Sequence, residues 1–455
     1  MPIGWTWGRL QSFCFPISDG THQTPTYTDE GFIFLSAKNV TSWKIDWNNV
    51  MHIPESLHNE LSNRISPKKN DILLAKNGTI GVAAIVDRDC DFDIYVTLAV
   101  LRTINTSILP QYLLNAIASS TVQNEFRGSL KGIGVQNLHL EHIRRTLIPI
   151  PPYNEQKLIS DKVVEITPLL EHIADTYTEL ETAISVLKAK ILDLAIRGKL
   201  VSQNPEDEPA SVLLDRIRAE KEELIRHGKI KRDKKESIIF KGEDNSYYRI
   251  YEKFNDGTVK CIEDEIPCEL PQGWVWCRLN MLSDSSPNSF VDGPFGSNLK
   301  TEHYTHNREV RIIQLNNIGE FIWRNNGVKY TTFQHAETLD RCITYPEDIV
   351  IAKMMPAGRA IIVPHVESIY VISSDCVRLR VHKQIYNRYL MFAINSSVVN
   401  EQIQDSVHGI GRSRTSLSKC KELLIPIPPL KEQFRIVESI ETSFAQLEAI
   451  TNSLN

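Results

Sequence analysis

Two glycine loops carry side chains that could contact a phosphate or the edge of a base. The first is KGIGVQN (131–137) and the second is HGIGRSRTS (408–416). Glycine lets a backbone approach a ligand closely, while the neighbouring residues differ between the two loops. Arg412 and Arg414 could reach guanine edges or phosphate oxygens, whereas Gln136 offers a different pattern of donors and acceptors. The alternative is a helix C-cap followed by a surface turn.

A second group of candidates lies in two hairpin-like segments, ILLAKNGTIGVAAIV (72–86) and IVIAKMMPAGRAIIV (349–363). The Asn-Gly dipeptide of the first favours a tight hairpin. Both segments keep a lysine, which is either a phosphate contact or an exposed turn residue. The complete set of candidate nucleic-acid contacts is Thr21, His22, Lys76, Asn77, Thr79, Lys131, Gln136, Asn137, Lys300, Lys353, Arg359, Arg412, Ser413 and Arg414.

The motifs indicate no catalytic site. The segment IPPY (150–153) has the Pro-Pro-aromatic form with which amino-methyltransferases hold a flipped base. Its leading residue, Ile150, cannot accept a hydrogen bond from an amine, and its second copy reads IPPL. A proline turn before a helix explains the segment better. The chain contains no phosphate-binding P-loop, HExxH or GxSxG motif.

Composition indicates a soluble protein with room for two or three domains. The chain has 455 residues, of which 42% are apolar and 24% charged. No apolar run approaches the roughly 18 residues of a membrane span, and no secretion signal is present, so we expect a cytoplasmic protein. Eight scattered cysteines without a Cys-x-x-Cys pair indicate reduced thiols and argue against structural zinc.

A net charge of −5 argues against binding nucleic acid by charge alone. The acidic surplus lies in the helical parts, with 19 basic and 23 acidic side chains in segment 151–264 and 2 and 4 in segment 431–455, whereas segment 1–150 holds 13 of each. Affinity for nucleic acid would therefore need local clusters of charge, or partner subunits that complete the phosphate contacts.

The elements that would position the candidate residues occur twice. The repeated segments are GWTWGRL (4–10) and GWVWCRL (273–279), NDILLAK (70–76) and EDIVIAK (347–353), and LIPIPPYNEQ (147–156) and LIPIPPLKEQ (424–433). From Asp71 onward the later half of each copy aligns at an offset of 277 residues without net insertion. The sequence pattern of each copy predicts strands, then one helix, then a glycine loop. The predicted helix is PQYLLNAIASSTVQNEF in the first copy and NRYLMFAINSSVVNEQI in the second. The pattern is typical of a compact α+β unit of about 150 residues.

One long helix is predicted from about Asn154, its N-cap, to Arg197, with Gly198 as the C′ residue. Its apolar residues alternate steps of four and three, and ten steps cover 35 residues, which is the period of a coiled-coil seam. At 1.5 Å per residue the helix would run for roughly 65 Å. The predicted helix-pairing seam consists of Ile159, Val163, Ile166, Leu170, Ile173, Tyr177, Leu180, Ile184, Leu187, Ile191 and Leu194, with Ile436, Ile440, Leu447 and Ile450 on the helix after the second IPIPP segment.

That second helix is shorter, because Asn455 corresponds to Thr178 of the first. Antiparallel pairing would leave roughly Glu155 to Ile173 with an exposed seam, unless a partner subunit covers it. A truncated or recombined chain is the other explanation.

A charged helix is predicted from about Ala210 to His227, closed by Gly228. The basic run KIKRDKKES (229–237) that follows is either a solvated linker, which we favour, or a phosphate-binding strip. Residues 238–265 are interpreted as a connector into the second copy.

The whole chain resembles the specificity subunits of type I restriction-modification systems. The resemblance is carried by the paired GW-x-W-x-RL starts, the SDGT turn (18–21), the D-I-[LV]-[LI]-A-K hairpins, the IPIPP-x-x-EQ junctions and the helix end KILDLAIRGKL (190–200). It implies a non-catalytic DNA reader whose two target recognition domains each read one half of a bipartite site. The length of the helix should set the gap between the half-sites.

The fold expected from the repeat and the resemblance is α+β, with two repeated α+β target recognition domains separated by a long antiparallel helical coiled-coil spacer. The expected boundaries are 1–150 for the first target recognition domain, 151–232 for the central helical spacer, 233–264 for a connector, 265–427 for the second target recognition domain and 428–455 for a short distal helical spacer.

The resemblance also implies partners. These are double-stranded DNA, two methyltransferase subunits and restriction subunits, with no membrane. S-adenosylmethionine, ATP and Mg are expected on the partner subunits, and no cofactor or metal on this chain. Because the two copies share a framework but differ in their loops, the two half-sites should have different sequences.

Two alternatives come from other classes of protein. A coiled-coil scaffold with two α+β domains for protein partners is favoured slightly by the balanced charge. An autonomous methyltransferase or nuclease is disfavoured by the missing motifs.

Overall fold

A computed structural model describes residues 1–104, 106–129, 136–232, 236–242, 249–354, 356–404 and 414–453. The chain forms two compact units, Met1–Tyr177 and Thr178–Asn455. Three of the candidate contacts, Lys131, Arg412 and Ser413, lie outside the described residues.

The first unit contains short strands, four short helices and the start of a long one. Its strands are β1 (Thr6–Arg9), β2 (Ser18–Asp19), β3 (Phe32–Leu35), β4 (Met51–Ile53), β5 (Ile72–Ala75), β6 (Ala83–Ile85), β7 (Phe92–Ile94), β8 (Leu98–Leu101) and β9 (Leu147–Ile150). Its helices among the described residues are α1 (Glu55–Ser62), α2 (Pro110–Ala118), α3 (Ser120–Ser129), α4 (Leu140–Arg145) and the start of α5 (Tyr153–Ile196).

A sheet of order β2-β8-β5-β6 forms the centre of the first unit. Strand β5 reads ILLA and is buried throughout, as expected for a strand covered on both faces. Ile72 and Leu74 belong to the core formed with α2 and α3. Leu73 and Ala75 belong to the core formed with the second sheet, of order β4-β3-β7. The continuous apolar sequence of β5 is therefore explained by the burial of its two faces in two different cores.

The second unit repeats this architecture. Its strands are β10 (Ser237–Lys241), β11 (Ile250–Phe254), β12 (Val259–Cys261), β13 (Val275–Arg278), β14 (Phe290–Asp292), β15 (Tyr304–Thr305), β16 (Val310–Ile313), β17 (Tyr330–Thr331), β18 (Ile343–Thr344), β19 (Ile349–Ala352), β20 (Ala360–Ile362), β21 (Tyr370–Ile372), β22 (Cys376–Leu379) and β23 (Leu424–Ile427). Its helices are α6 (Ala210–Arg226), α7 (Phe333–Glu337), α8 (Asn387–Asn395), α9 (Ser397–Gln404), α10 (Leu417–Glu422) and α11 (Leu430–Asn452).

Sheet order confirms the predicted α+β repeat. The order β14-β22-β19-β20 matches β2-β8-β5-β6, and β17-β16-β21 matches β4-β3-β7, with β15 and β18 added at the edges. In both units the second sheet contains one parallel pair, β3 with β7 and β16 with β21. The predicted hairpins are also present, as β5 with β6 and β19 with β20, although the first is joined by the loop 76–82 and not by a tight turn.

Within each α+β repeat, the first strand pairs with the last. Strand β1 pairs antiparallel with β9, and β13 pairs in the same way with β23. The Trp5 indole donates a hydrogen bond to Glu155 at 3.0 Å, and the Trp274 indole donates to Glu432 at 3.1 Å. These contacts explain why the GW-x-W-x-RL and IPIPP-x-x-EQ segments recur together.

The glutamine of each IPIPP-x-x-EQ segment also has a structural role. Gln156 Oε1 accepts a hydrogen bond from Leu109 N at 2.9 Å, and Gln433 Oε1 accepts from Tyr386 N at 3.0 Å. Helix α5 begins at Tyr153, within the IPPY segment. This geometry supports the interpretation of the segment as a turn before a helix.

The prediction of a single helix before each glycine loop is wrong. Ser119 and Ser396 are extended, and each separates two helices, α2 from α3 and α8 from α9. The Ser119 hydroxyl accepts a hydrogen bond from Val122 N at 3.4 Å. Serine competes for backbone hydrogen bonds in this way and therefore favours a helix start over a helix interior.

Helix α5 runs from Tyr153 to Ile196, close to its predicted bounds, and continues through Pro168. Gly198 follows with φ +67°, and Lys199 N donates to Leu194 O at 2.7 Å. This is the predicted C-terminal cap.

The two ends of the predicted seam differ in exposure. Residues 161–176 are all exposed, and Leu170 and Ile173 are 60% and 63% exposed. This is the part of the seam that a short second helix was expected to leave uncovered. In the second unit, α11 packs near the C-terminal part of α5, where Lys188 contacts Glu448 at 3.0 Å.

Near the end of α5 the buried residues are not those of the predicted seam. Leu192, Ala195 and Ile196 are buried, whereas Ile191 and Leu194 are only half-buried. The buried residues belong to the large core of the second unit, which packs more than one face of the helix. A heptad pattern anticipates only the face toward one partner helix.

Matched substitutions should separate the two parts of the seam. We expect Leu170→Ala to change the free energy of unfolding by less than about 0.5 kcal/mol, because the side chain is already exposed. We expect Ile440→Ala, at a fully buried position of α11, to lower it by about 2–5 kcal/mol. Denaturant unfolding of the full chain measures both. A large loss for Leu170→Ala would show that this stretch is packed within the chain.

The segment interpreted as a connector contains a sheet of order β10-β11-β12, which the sequence did not predict. Arg278 joins this sheet to strand β13, because its guanidinium donates to Glu252 of β11 at 2.6 Å and to Glu265 at 2.7 Å. Burial raises the pKa of Glu252, but hydrogen bonds from Arg278 and Ser237 outweigh it and lower that pKa.

Within the described part of the chain, no helix is long and apolar enough to cross a membrane. In the same residues, no group of three or more His, Cys, Asp or Glu side chains could hold a metal ion. All eight cysteines are free thiols.

Candidate nucleic-acid interface

Each unit builds its candidate site on one lysine–aspartate ion pair. Lys76 Nζ contacts the Asp19 carboxylate in the first unit, and Lys353 Nζ lies 3.0 Å from Asp292 Oδ1 in the second. The aspartates belong to the repeated Asp-Gly turns and the lysines to the repeated hairpins. The pair therefore joins two motifs that are far apart in sequence.

Both lysines lie inside the framework of the site. The residues Lys76 and Lys353 are 4% and 9% exposed. The interpretation of an exposed turn residue is therefore wrong. A buried and paired ammonium group would have to break its ion pair to reach a phosphate, so the position favours a role in holding the loops.

The glycine of each Asp-Gly turn permits a close backbone approach. A Cβ on Gly20 would lie 2.0 Å from Ile94 O, and one on Gly293 would lie 1.9 Å from Ser373 O. No side chain fits at either position without movement of the backbone. The turns are therefore held against the neighbouring strands.

One residue at the C-terminal end of each glycine loop is anchored to the same lysine. Lys76 O accepts a hydrogen bond from Leu138 N at 2.9 Å, and Lys353 O accepts from Thr415 N at 2.8 Å. The residue before each anchor is Asn137 or Arg414, and Arg414 lines the same cleft as Asp292 and Gly293. The structure thus links each glycine loop to the lysine of the same unit, whereas the sequence only suggested that both belong to one site.

In the first unit two predicted side chains face solvent, while others are used within the fold. His22 is 64% exposed in its side chain and lies 3.5 Å from Asp19 Oδ1, and Gln136 is also exposed. Thr79 Oγ1 donates to Val40 O at 3.0 Å. Thr21 takes part in a backbone bridge with Tyr95.

Two asparagines of the first unit are half-buried, Asn77 and Asn137. Asn137 Oδ1 is buried and has no hydrogen-bond partner among the residues that the structure describes. A buried amide oxygen without a partner is costly, so the Asn137 side chain would have to turn outward for this atom to accept a hydrogen bond from a ligand.

In the second unit the predicted basic residues differ in their surroundings. Arg414 is 56% exposed in its side chain and lies 3.7 Å from Asp375, and Lys300 is 53% exposed and lies 3.7 Å from Glu302. Arg359 is half-buried. Only Arg414 and Lys353 of these candidates line the cleft described next.

A cleft of about 690 Å³ lies beside the Asp292–Lys353 pair. Its charged residues are balanced, with three basic side chains and three acidic ones, and amide and hydroxyl groups lie between them. The charged lining residues are Arg341, Lys353, Arg414, Asp292, Asp340 and Asp375. Such a mixture of donors and acceptors suits base edges better than a row of phosphates.

Sequence reasoning missed Phe295, which lines this cleft and is 83% exposed. It lies three residues after Asp292, as His22 lies three residues after Asp19. The signal in the sequence was this shared spacing from the repeated Asp-Gly turn.

A second cleft, of about 550 Å³, shares Arg341 with the first. Basic residues predominate in its lining, with Lys229 and Lys231 from the basic run, Lys421, and the buried Lys221. This geometry favours the phosphate-binding interpretation of the run more than the sequence did.

The cysteines near the second site are not reactive thiolates at neutral pH. Burial raises the pKa of Cys376 to about 12 and that of Cys420 to about 11. Both are therefore protonated packing residues.

Residues 15–182 and 303–455 match the family model described as "Type I restriction modification DNA specificity domain". The chain is similar to the type I restriction enzyme EcoEI specificity subunit of Escherichia coli, with 25% identity over 65% of this chain and 46% of that protein. It is also similar to the EcoAI specificity subunit of the same species, with 30% identity over 60% of this chain and 40% of that protein. The matched regions thus span less than half the length of these relatives.

The fold is also similar to that of a chain in a solved structure of the type I R-M system. The two share 17% sequence identity and a TM-score of 0.61, over 100% of this chain and 93% of the other. This likeness concerns the fold alone.

Proposed function

Because this chain belongs to the type I restriction-modification DNA specificity family, we propose that it reads a bipartite, asymmetric site in double-stranded DNA. Each unit reads one half-site and performs no catalysis itself. Methylation and cleavage belong to partner subunits, which carry S-adenosylmethionine, ATP and Mg.

The observation that supports this proposal most is a shared framework that carries different side chains at equivalent positions. The ion pairs and glycine contacts join the same elements in both units, whereas the equivalent positions hold His22 and Phe295, and Asn137 and Arg414. Selection for one ligand would favour the same side chains in both units. Different side chains on one framework suit two unlike half-sites.

The two clefts of the second unit suit different parts of a duplex. The balanced cleft beside Lys353 offers donors and acceptors for base edges, and the basic cleft at Lys229 and Lys231 offers charge for phosphates. Positive charge is thus clustered in a chain whose net charge is −5.

The partner proposed for the exposed part of α5 is a methyltransferase subunit. Leu170 and Ile173 lie in a stretch where every residue from 161 to 176 is exposed, which is unfavourable for a chain that remains alone. Leu170→Glu with Ile173→Glu should reduce copurification of methyltransferase while leaving unfolding unchanged. Unchanged copurification would place the docking surface elsewhere.

The proposed function is tested with the chain copurified with its methyltransferase subunits. The complex should retard one duplex in excess non-specific competitor, and deletion of the gene should remove one split motif with unlike halves from the cellular methylome. Arg414→Ala should weaken discrimination in one half-site only, and Asn137→Ala in the other. Binding without sequence preference would contradict the proposal and favour the scaffold alternative.

Salt dependence separates phosphate contacts from base contacts. With Lys229→Ala and Lys231→Ala combined, we expect the slope of log K against log salt concentration to become shallower by about 1.8, since each phosphate contact contributes about 0.9. Base preference should not change. Lys253→Ala, an exposed lysine on β11 outside the cleft, is the matched control. An unchanged slope in the double variant would restore the linker interpretation.

A further inference from the structure

Phe295 lies in a loop whose backbone is fixed although its ring is free. Gly293 N donates to Cys376 O at 3.0 Å, and on the other side of Phe295 the Asn298 carbonyl oxygen lies 2.9 Å from His335 Nε2. Asp292, the residue before Gly293, is paired with Lys353. The loop is therefore anchored on both sides of the phenylalanine.

The ring itself is 83% exposed. Exposing a whole aromatic side chain forgoes the favourable burial of its apolar surface, which makes such a residue on an anchored loop a candidate contact. A Cβ built on the next residue, Gly296, would meet no atom within 4 Å. A ligand therefore has open space beside the ring.

The surroundings of the ring match the chemistry of bases. Phe295 shares its cleft with Arg414, Asp375 and Asn298, which supply donors and acceptors at the edge of an apolar surface. The balanced charge of this cleft gives little attraction for a row of phosphates. Aromatic rings in such settings stack on bases or enter a base step.

The first unit places a different ring at the same position. His22 lies three residues beyond its aspartate, as Phe295 does, and is also exposed. Both rings follow a glycine that cannot be replaced without backbone movement. The repeated framework therefore presents an exposed ring at this position in each unit.

We infer that Phe295 inserts its ring against the bases of the half-site read by the second unit, an inference that rests on the proposed function. The ring supplies apolar stacking, while Arg414 and its neighbours contact base edges. A contact between Phe295 and a methyltransferase subunit is the competing outcome.

The test uses the full chain in complex with its methyltransferase subunits and duplexes that carry 2-aminopurine at successive positions of the specific site. Wild-type complex should raise the 2-aminopurine fluorescence at one step of one half-site, because unstacking from a neighbouring base relieves quenching. Phe295→Ala should abolish that change and weaken specific binding by about 5- to 150-fold, as stacking on one base is worth about that factor. Phe295→Trp should retain both.

Phe333→Ala is the matched control, because Phe333 is also exposed, at 53%, and does not line the cleft. Copurification of methyltransferase with Phe295→Ala should equal that of wild type, and its loss would overturn the inference in favour of a subunit contact. Specific binding by Phe295→Ala at wild-type strength would also overturn it. If the wild-type complex binds no specific duplex, the proposed function itself fails, and the two failures remain distinguishable.

Discussion

Gly20→Ala and Gly293→Ala are each expected to destabilise one unit by about 1–3 kcal/mol or more, the cost of forcing extra volume into a packed site. The added methyl group would lie 2.0 Å from Ile94 O in the first unit and 1.9 Å from Ser373 O in the second. Both neighbours are backbone carbonyls, so a side-chain rotation cannot relieve the overlap.

Amide hydrogen exchange measured by segment checks this expectation. Gly20→Ala should raise exchange in strands β5 and β8, and Gly293→Ala should raise it in β19 and β22. Gly128→Ala is the control, because a Cβ there would meet nothing within 4 Å and the residue lies in helix α3. That control should be neutral or stabilising by up to about 1 kcal/mol. Equal exchange in Gly20→Ala and wild type would contradict the assigned packing.

Lys76→Met is expected to destabilise the first unit by about 3 kcal/mol, because the buried Asp19 carboxylate loses its buried partner and keeps only the exposed Arg64 at 3.6 Å and His22 at 3.5 Å. Lys353→Met should cost only about 1 kcal/mol, because the Asp292 side chain is 40% exposed and water can replace the lysine. The same substitution at equivalent positions should thus have unequal effects.

Denaturant unfolding followed by segment-resolved hydrogen exchange measures the two losses separately, since the chain need not unfold in one step. Adding Asp19→Asn to Lys76→Met should recover part of the lost stability, because the buried charge is then removed. Equal losses for Lys76→Met and Lys353→Met, or no recovery in the double variant, would show that pairing is not what makes Lys76 important.

The two pairs also bear on recognition. Asn137 and Arg414 each precede the residue whose N–H is bound by the lysine carbonyl, at Leu138 and Thr415. A loosened lysine would therefore misplace a side chain proposed to contact DNA. DNA recognition therefore depends on the lysine–aspartate pairs even if the pairs themselves do not contact DNA.

The repeated segments predicted the fold well because their residues form the strand pairs and hydrogen bonds that hold each unit together. Trp5 and Glu155 are far apart in sequence yet belong to the two segments that recur most closely, and they are hydrogen-bonded. The split of each predicted helix was missed, because Ser119 favours a helix start while the apolar pattern continues across it. The sheet β10-β11-β12 was missed because its strands are short and carry charged residues.

The candidate site was predicted only in part. Residue type suggested exposed lysines at 76 and 353, but burial and pairing depend on an aspartate from another segment that no local pattern reveals. Phe295 has an apolar side chain, which sequence alone would assign to a core. Its exposure follows from the turn on which it lies.

By itself the sequence determined the duplicated α+β unit, the long helix and the family resemblance, because repeats and heptads are properties of spacing along the chain. Only the tertiary structure decided which repeated residues hold the loops and which are left to face a ligand. That distinction depends on contacts between segments distant in sequence, such as Lys76 with Asp19. Leu138, which follows the first glycine loop, and Thr415, near the end of the second, are each held by the carbonyl of a lysine outside the loop.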